Sequence, residues 1–378
     1  MRALALAGLL SVASVPALAQ DTVTIGAVLS VTGAAAFLGE PEEKTLRIYV
    51  DKLNAEGGLL GKQIKLVIYD DGSDANKART FATRLLDDGK IAAMIGGTTT
   101  GASMAMLPVF EERGVPFISL ASGISIIEPV HKFVFKVPHT DKMACERIFE
   151  DMKARGLSKV GLISGSDGLG QSMRDQCVAV APRFGVQIVA DEKYGARDSD
   201  MTAQLAKIKA VPGLQAVLNA GAGQSPAIVT RNFAQLGFSN IALYQSHGVA
   251  SKSFIELTGA SAEGVRLPSA ALLIAGQLPA SDVQKPVVMA YKQTYETATG
   301  QPVSTFGGHA YDALMIVADA AKRAKSLDPE KLRDAIETTK EFVGTGGVFT
   351  FTPKDHLGLE PSAFKMIVIK NGDWTLAN

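Results

Sequence analysis

The chain has 378 residues, 47% of them hydrophobic, with 38 basic and 38 acidic side chains. This excludes a disordered polyelectrolyte, and without a basic surplus neither nucleic acid nor an anionic membrane surface is the expected partner. A single core stops growing at roughly 250 to 300 residues, so two lobes are expected.

Met1 and Arg2 precede an apolar run, Ala3 to Val15, and Pro16-Ala17-Leu18-Ala19 closes on a small-residue cleavage pattern. The run is shorter than the roughly 20 residues that cross a bilayer. Residues 1–19 therefore read as a signal peptide cleaved after Ala19, which delivers a soluble protein to the periplasm. No cysteine stands near the cleavage point to take a lipid.

Val23 to Leu29 alternates as a strand, Pro41 to Asn54 places Leu46, Val50 and Leu53 on one helical face, and Ile64 to Tyr69 returns to a strand. Ser73 or Asp74 caps a helix that Gly89 stops, and a strand at Ile91 to Ile95, a helix at Gly101 to Arg113 and a strand at Pro116 to Leu120 follow. Pro108 sits awkwardly inside that helix. After Phe133 to Val137 the same grammar restarts. Helices are predicted over Asp141–Ala154, Gly170–Phe184, Thr202–Lys209 and Pro226–Leu236, with strands at Lys159–Ile163, Gln187–Ala190, Ala216–Leu218 and Ile241–Tyr244, and the run ends at Gly264–Leu267. Helices at Asp282–Thr299, His309–Lys325 and Pro329–Thr339 precede strands at Gly347–Phe351 and Phe364–Ile369. The fold class is α/β, with two parallel-rich, doubly wound lobes and no flexible linker between them.

No enzyme constellation emerges. Gly57 to Gln63 fails the phosphate-loop pattern, Gly165 to Gly170 fails the dinucleotide pattern, and Gly161 to Gly165 misplaces the serine of a nucleophile elbow. His131, His139, His247, His309 and His356 are scattered, so no metal site, cofactor or catalytic residue is assigned. Cys145 and Cys177 lie on separate predicted helices, and spacing does not tell whether they pair. More informative is Ile95-Gly96-Gly97-Thr98-Thr99-Thr100-Gly101, between a strand end and a helix start. There a carboxylate would meet unpaired amides, hydroxyls and the positive end of a helix dipole. The plain structural alternative is that Thr99 or Thr100 only caps the helix. Ser119-Leu120-Ala121-Ser122-Gly123 is a second polar loop at the next strand end.

Ile25 to Gly33, Leu53 to Gly61, Tyr69-Asp70-Asp71, Ile95-Gly96-Gly97, Gly114 to Ser119 and Ala310 to Leu314 together resemble the leucine/isoleucine/valine-binding family, type I periplasmic receptors of ABC importers. The resemblance implies two Rossmann-like lobes joined by a three-crossover hinge and closing on a ligand. The lobes would be 20–139 with 270–343, and 140–269 with 344–378. It implies a carboxylate held by a hydroxyl of the Thr98 to Gly101 loop, where Thr100 aligns best and Thr99 stands beside it, by the backbone of Ala121 and Gly123, and by Ser122, with Phe306 as an aromatic wall. The loops at Asp167 to Gly170, Gly221 to Ser225 and Ser246 to Val249, with Gly223 and Gln224 among them, would close the cleft from the other lobe.

The departures from that family matter most. His247 stands where an amino-acid receptor carries the acid that pairs the ammonium, and Leu38, Leu169 and Ala222 replace tyrosines. Neutral imidazole cannot substitute for a carboxylate partner, although Asp167 could supply one. The expected function is a monomeric receptor delivering a small organic carboxylate, with an aromatic acid favoured, to an inner-membrane ABC permease. A branched-chain amino acid receptor, an extracytoplasmic sensor and an exported enzyme are the alternatives.

Overall fold

A computed structural model describes residues 21–195 and 197–377; the expected signal peptide lies outside them. In the first lobe β1 (Thr22–Leu29), β2 (Gln63–Asp70), β3 (Ile91–Gly96), β4 (Phe117–Ser119) and β5 (Val134–Lys136) pair in parallel in the order β2-β1-β3-β4-β5. Central β3 is buried along its whole length, as a strand covered on both faces must be. Helices α1 (Ala36–Ala55), α2 (Ala75–Asp88) and α3 (Thr100–Arg113) connect the strands.

The second lobe starts with α4 (Asp141–Ala154), β6 (Lys159–Gly165), α5 (Gly168–Val180), β7 (Gln187–Tyr194) and α6 (Thr202–Lys209). It continues through β8 (Ala216–Ala220), α7 (Ser225–Gln235), β9 (Ala242–Gln245), α8 (Lys252–Thr258) and β10 (Arg266–Ser269). The chain then returns to the first lobe with α9 (Lys285–Thr299), α10 (Thr305–Ala324), α11 (Pro329–Glu337), β11 (Phe342–Val343) and β12 (Val348–Phe349). It ends in the second sheet with β13 (Lys365–Lys370) and β14 (Asp373–Leu376), giving the order β14-β13-β10-β9-β8-β6-β7. That sheet is parallel from β7 to β10, and β13 and β14 add antiparallel edges. The chain therefore passes between the sheets after β5, after β10 and between β12 and β13.

Several spans differ from the sequence reading for physical reasons. Helix α1 starts at Ala36, not Pro41, because its first turn buries Leu38 against Ala35 and Phe306, a gain exceeding the one bond Pro41 cannot donate. Helix α3 likewise runs through Pro108 to a left-handed cap at Gly114, φ 65°. Helix α10 starts at Thr305, not His309, because the Ser304 hydroxyl accepts the Gly307 N–H. The strand expected over Gly347–Phe351 shrinks to two paired residues, and α8 and β14 were not foreseen.

Buried Asp312 holds the return segment: it accepts the N–H groups of Thr345 at 2.6 Å and Gly346 at 2.7 Å and the Thr345 hydroxyl at 3.1 Å. Further along, the His356 carbonyl accepts the Lys136 N–H at 3.0 Å. A disulfide between Cys145 and Cys177 ties α4 to α5, the pairing that spacing left open.

Candidate ligand-binding cleft

Between the lobes lies a cavity of about 540 Å³. Of the residues singled out from sequence, Leu38, Thr99, Thr100, Ala121, Ser122, Asp167, Leu169, Gly223, Gln224 and Phe306 line it; Gly123 and His247 do not. Ala75, Gly101, Gly168, Ser225 and Phe306 bring the first turns of α2, α3, α5, α7 and α10 to this space. Their aligned dipoles turn positive ends toward it, while side-chain caps at Asp74, Thr99, Asp167 and Ser304 take part of the first-turn amides; among the described residues no lysine or arginine lines it. The two lobes approach closely there: a Cβ on Gly168 would come 3.1 Å from the Gly101 nitrogen.

The loop after β3 divides its work. Thr99 is the helix cap, accepting the Ala102 N–H at 3.1 Å, while Thr100 Oγ1 accepts the Gly123 N–H at 3.2 Å. A hydroxyl that accepts there keeps its proton for a ligand. The amides of Ala121 and Gly123, expected to face the ligand, are instead taken by Ser119 Oγ, at 3.1 Å, and by Thr100. Gly123 must lack a side chain, since a Cβ would fall 2.4 Å from Thr100 Cγ2. Among the described residues, the Ser122 N–H and hydroxyl and the Gly101 N–H have no protein acceptor, so they complete the donor set with Thr100.

Behind this loop, the Thr98 hydroxyl donates to Glu42 Oε2 at 2.5 Å and accepts the Ser30 N–H at 3.0 Å. The Ser30 hydroxyl donates to Asp71 Oδ1 at 2.7 Å. Burial pushes both carboxyls up from the usual range. This network, which no local pattern announces, locks the loops after β1, β2 and β3 together.

The apolar wall is Leu38, Leu120, Leu169 and Phe306, with Phe37 edge-on to Phe306 at 5.6 Å. Asp167 caps α5, its Oδ1 accepting the Leu169 and Gly170 amides at 2.9 and 3.0 Å. It is the only carboxylate of the lining among the described residues. His247 sits behind the wall, its ring edge-on to Phe364 at 5.4 Å. His309 borders the cavity instead. Sequence reasoning missed it, yet three residues after Phe306 on one helix it shares that residue's face.

Burial, with help from the Lys136 charge, holds His247 down to about 3. Unfolded histidine titrates near 6.5, so the unfolded chain binds more protons below that pH, and stability falls as pH drops from about 6.5 toward 3. Asp312, raised by burial to about 7, acts in the opposite sense, which makes a comparison of variants the informative quantity. His247→Phe should flatten the acid limb by up to about 1.4 kcal/mol per pH unit. Denaturant titrations giving parallel slopes for the two proteins would refute this.

Two Rossmann-like lobes enclosing a cavity of helix N-termini define a two-lobed solute receptor. The chain matches the periplasmic binding protein family over residues 22–373 and belongs to it. It is 24% identical over 377 residues to the leucine-, isoleucine-, valine-, threonine-, and alanine-binding protein of Pseudomonas aeruginosa, covering 99% of this chain and 93% of that one. An extracellular ligand-binding receptor from Rhodopseudomonas palustris superposes with a TM-score of 0.88 at 29% identity, over 95% of this chain and all of that one. The branched-chain amino acid transporter substrate binding protein of Streptococcus pneumoniae, solved with isoleucine, gives 0.83 at 25% identity over 95% of this chain and 99% of the other. These relatives are solute-binding proteins, not enzymes, in line with the failed search for a catalytic constellation.

Proposed function

We propose that the mature chain is the periplasmic receptor of an ABC importer, capturing a small organic carboxylate, with an aromatic acid favoured, and presenting it to an inner-membrane permease as a monomer. The observation that carries this reading is the convergence of helix N-termini with the free donors of Thr100, Ser122 and Gly101 on one cavity. Phe306, Leu38 and Leu169 suit a flat apolar body.

An ammonium has no acid at His247, and an unpaired buried charge costs several kcal/mol, more than the roughly 1.5 to 3 kcal/mol a leucine side chain returns. A thermal-shift panel of benzoate, hydroxybenzoate, leucine, isoleucine and valine tests this. Stabilisation by the aromatic acids is expected; a response to leucine alone would reject the preference. Asp167 on the cavity wall favours the second reading, an amino acid receptor, as do the Pseudomonas aeruginosa and Streptococcus pneumoniae relatives.

The lobes are taken as 20–139 with 270–343, and 140–269 with 344–378. The contacts of Thr345, Gly346 and His356 support moving the last boundary past them. Export after cleavage at Ala19 fits the buried disulfide, a bond kept in oxidising compartments. N-terminal sequencing of the periplasmic fraction should begin at Gln20; a chain still carrying Met1 in the membrane fraction would contradict it.

A further inference from the structure

Three histidines from both lobes gather behind the cleft, and the carboxylate donors use none of them. His309, on the turn that carries Phe306, borders the cavity. His139, beyond β5, lies flat on Phe364 with ring centroids 4.0 Å apart, and His247, beyond β9, meets the same ring edge-on. Their exposures are 2% for His139 and 6% for each of the others. Even so, Nε2 of His139, both ring nitrogens of His247 and Nδ1 of His309 have no hydrogen-bond partner. A buried polar atom left unpaired is costly, and native proteins rarely leave several together. Of the three, only His309 reaches the cavity, and its Nε2 is not among these covered atoms, so that nitrogen is the one placed to meet a ligand.

Lys136 ties this cluster to the polar end of the cavity. Its Nζ donates to the Ser122 carbonyl at 3.3 Å, and its charge bears on all three histidines. Burial first, then neighbouring histidines and Lys136, keep the rings uncharged near neutral pH. An uncharged imidazole offers one N–H and one lone pair. A hydroxyl or carbonyl oxygen meets that offer as it stands. An ammonium can only donate and would also need an acid beside the histidines; Asp141, whose carboxyl accepts the Ile124 amide at 3.1 Å, does not border the cavity, and Asp167, which does, is the cap of α5. A second carboxylate would need a buried ring to take a proton.

We propose that His309, backed by His139 and His247, is a second subsite, which receives an uncharged hydroxyl or carbonyl oxygen of the bound acid. The ligand class is then a hydroxy or oxo acid with an apolar or aromatic body, not an amino acid, a plain acid or a diacid. This rests on the reading of the cleft as a carboxylate site.

Calorimetry with matched skeletons tests it: benzoate, 3- and 4-hydroxybenzoate and terephthalate in one set, and 3-phenylpropanoate, 3-phenyllactate, phenylpyruvate and phenylalanine in the other. In at least one set a hydroxy or oxo member should bind about tenfold or more tighter than the plain acid, the effect of one buried hydrogen bond. His309→Phe should bring that ratio to within about twofold, and His309→Gln, which keeps a donor and an acceptor, should restore part of it. The wild-type ratios decide the matter even if a variant fails to fold. A plain, amino or dicarboxylic acid binding tighter than every hydroxy and oxo partner would overturn the subsite and leave the carboxylate reading standing. An unchanged ratio in folded His309→Phe would also overturn it. Binding by no acid of either set would overturn both.

Discussion

Thr100→Ala is expected to weaken carboxylate binding by roughly 1.5 to 3 kcal/mol, the range for a hydrogen bond to a charged group. The hydroxyl already accepts from the Gly123 amide, so its proton is free to donate into the cavity. Truncation removes that donor and also strands a buried N–H in the neighbouring loop. Thr100→Ser keeps the oxygen and should recover most of the loss, whereas Thr100→Val keeps the shape and should not. The helix itself should survive in all three, because Thr99 is the cap. Calorimetry that finds Thr100→Ala and wild type equal, with circular dichroism unchanged, would remove Thr100 from the site.

Replacing both Cys145 and Cys177 with alanine should cost about 3 to 4 kcal/mol. The bond closes a loop across a sequence separation of 32, and closure of that length restricts the unfolded chain by about this amount. Both sulfurs are fully buried in the second-lobe core beside Ile148, Phe149 and Met173, so the lost packing adds to the effect. The expected readout is a lower denaturant midpoint for the second lobe with ligand binding retained at low temperature. Equal midpoints for the oxidised wild type and the double variant would show that the linkage does not constrain the unfolded chain.

What could be read from the sequence was local. Runs of apolar residues bounded by Gly and Pro located most strands of both sheets, β14 excepted, and Gly96-Gly97-Thr98-Thr99-Thr100-Gly101 marked a strand-to-helix turn on which the cleft depends. What escaped was decided by distant contacts. Phe306 and Ala35 extend α1 past its proline, and Ser304 lengthens α10 enough to put His309 beside Phe306. The bond from Thr98 to Glu42 spans 56 residues, and no periodicity encodes it. The amides of Ala121 and Gly123 looked available because a strand-end loop normally exposes them; only the side chains of Ser119 and Thr100 show that they are taken.

Native mass spectrometry of the purified mature protein, with and without added acids, most directly tests whether the cleft is a receptor site for a small carboxylate. The account predicts a mass increment of one small acid per chain, shed on denaturation and diminished in Thr100→Ala. A protein that holds its unliganded mass through saturating benzoate, hydroxybenzoate, phenylpyruvate and leucine would contradict it.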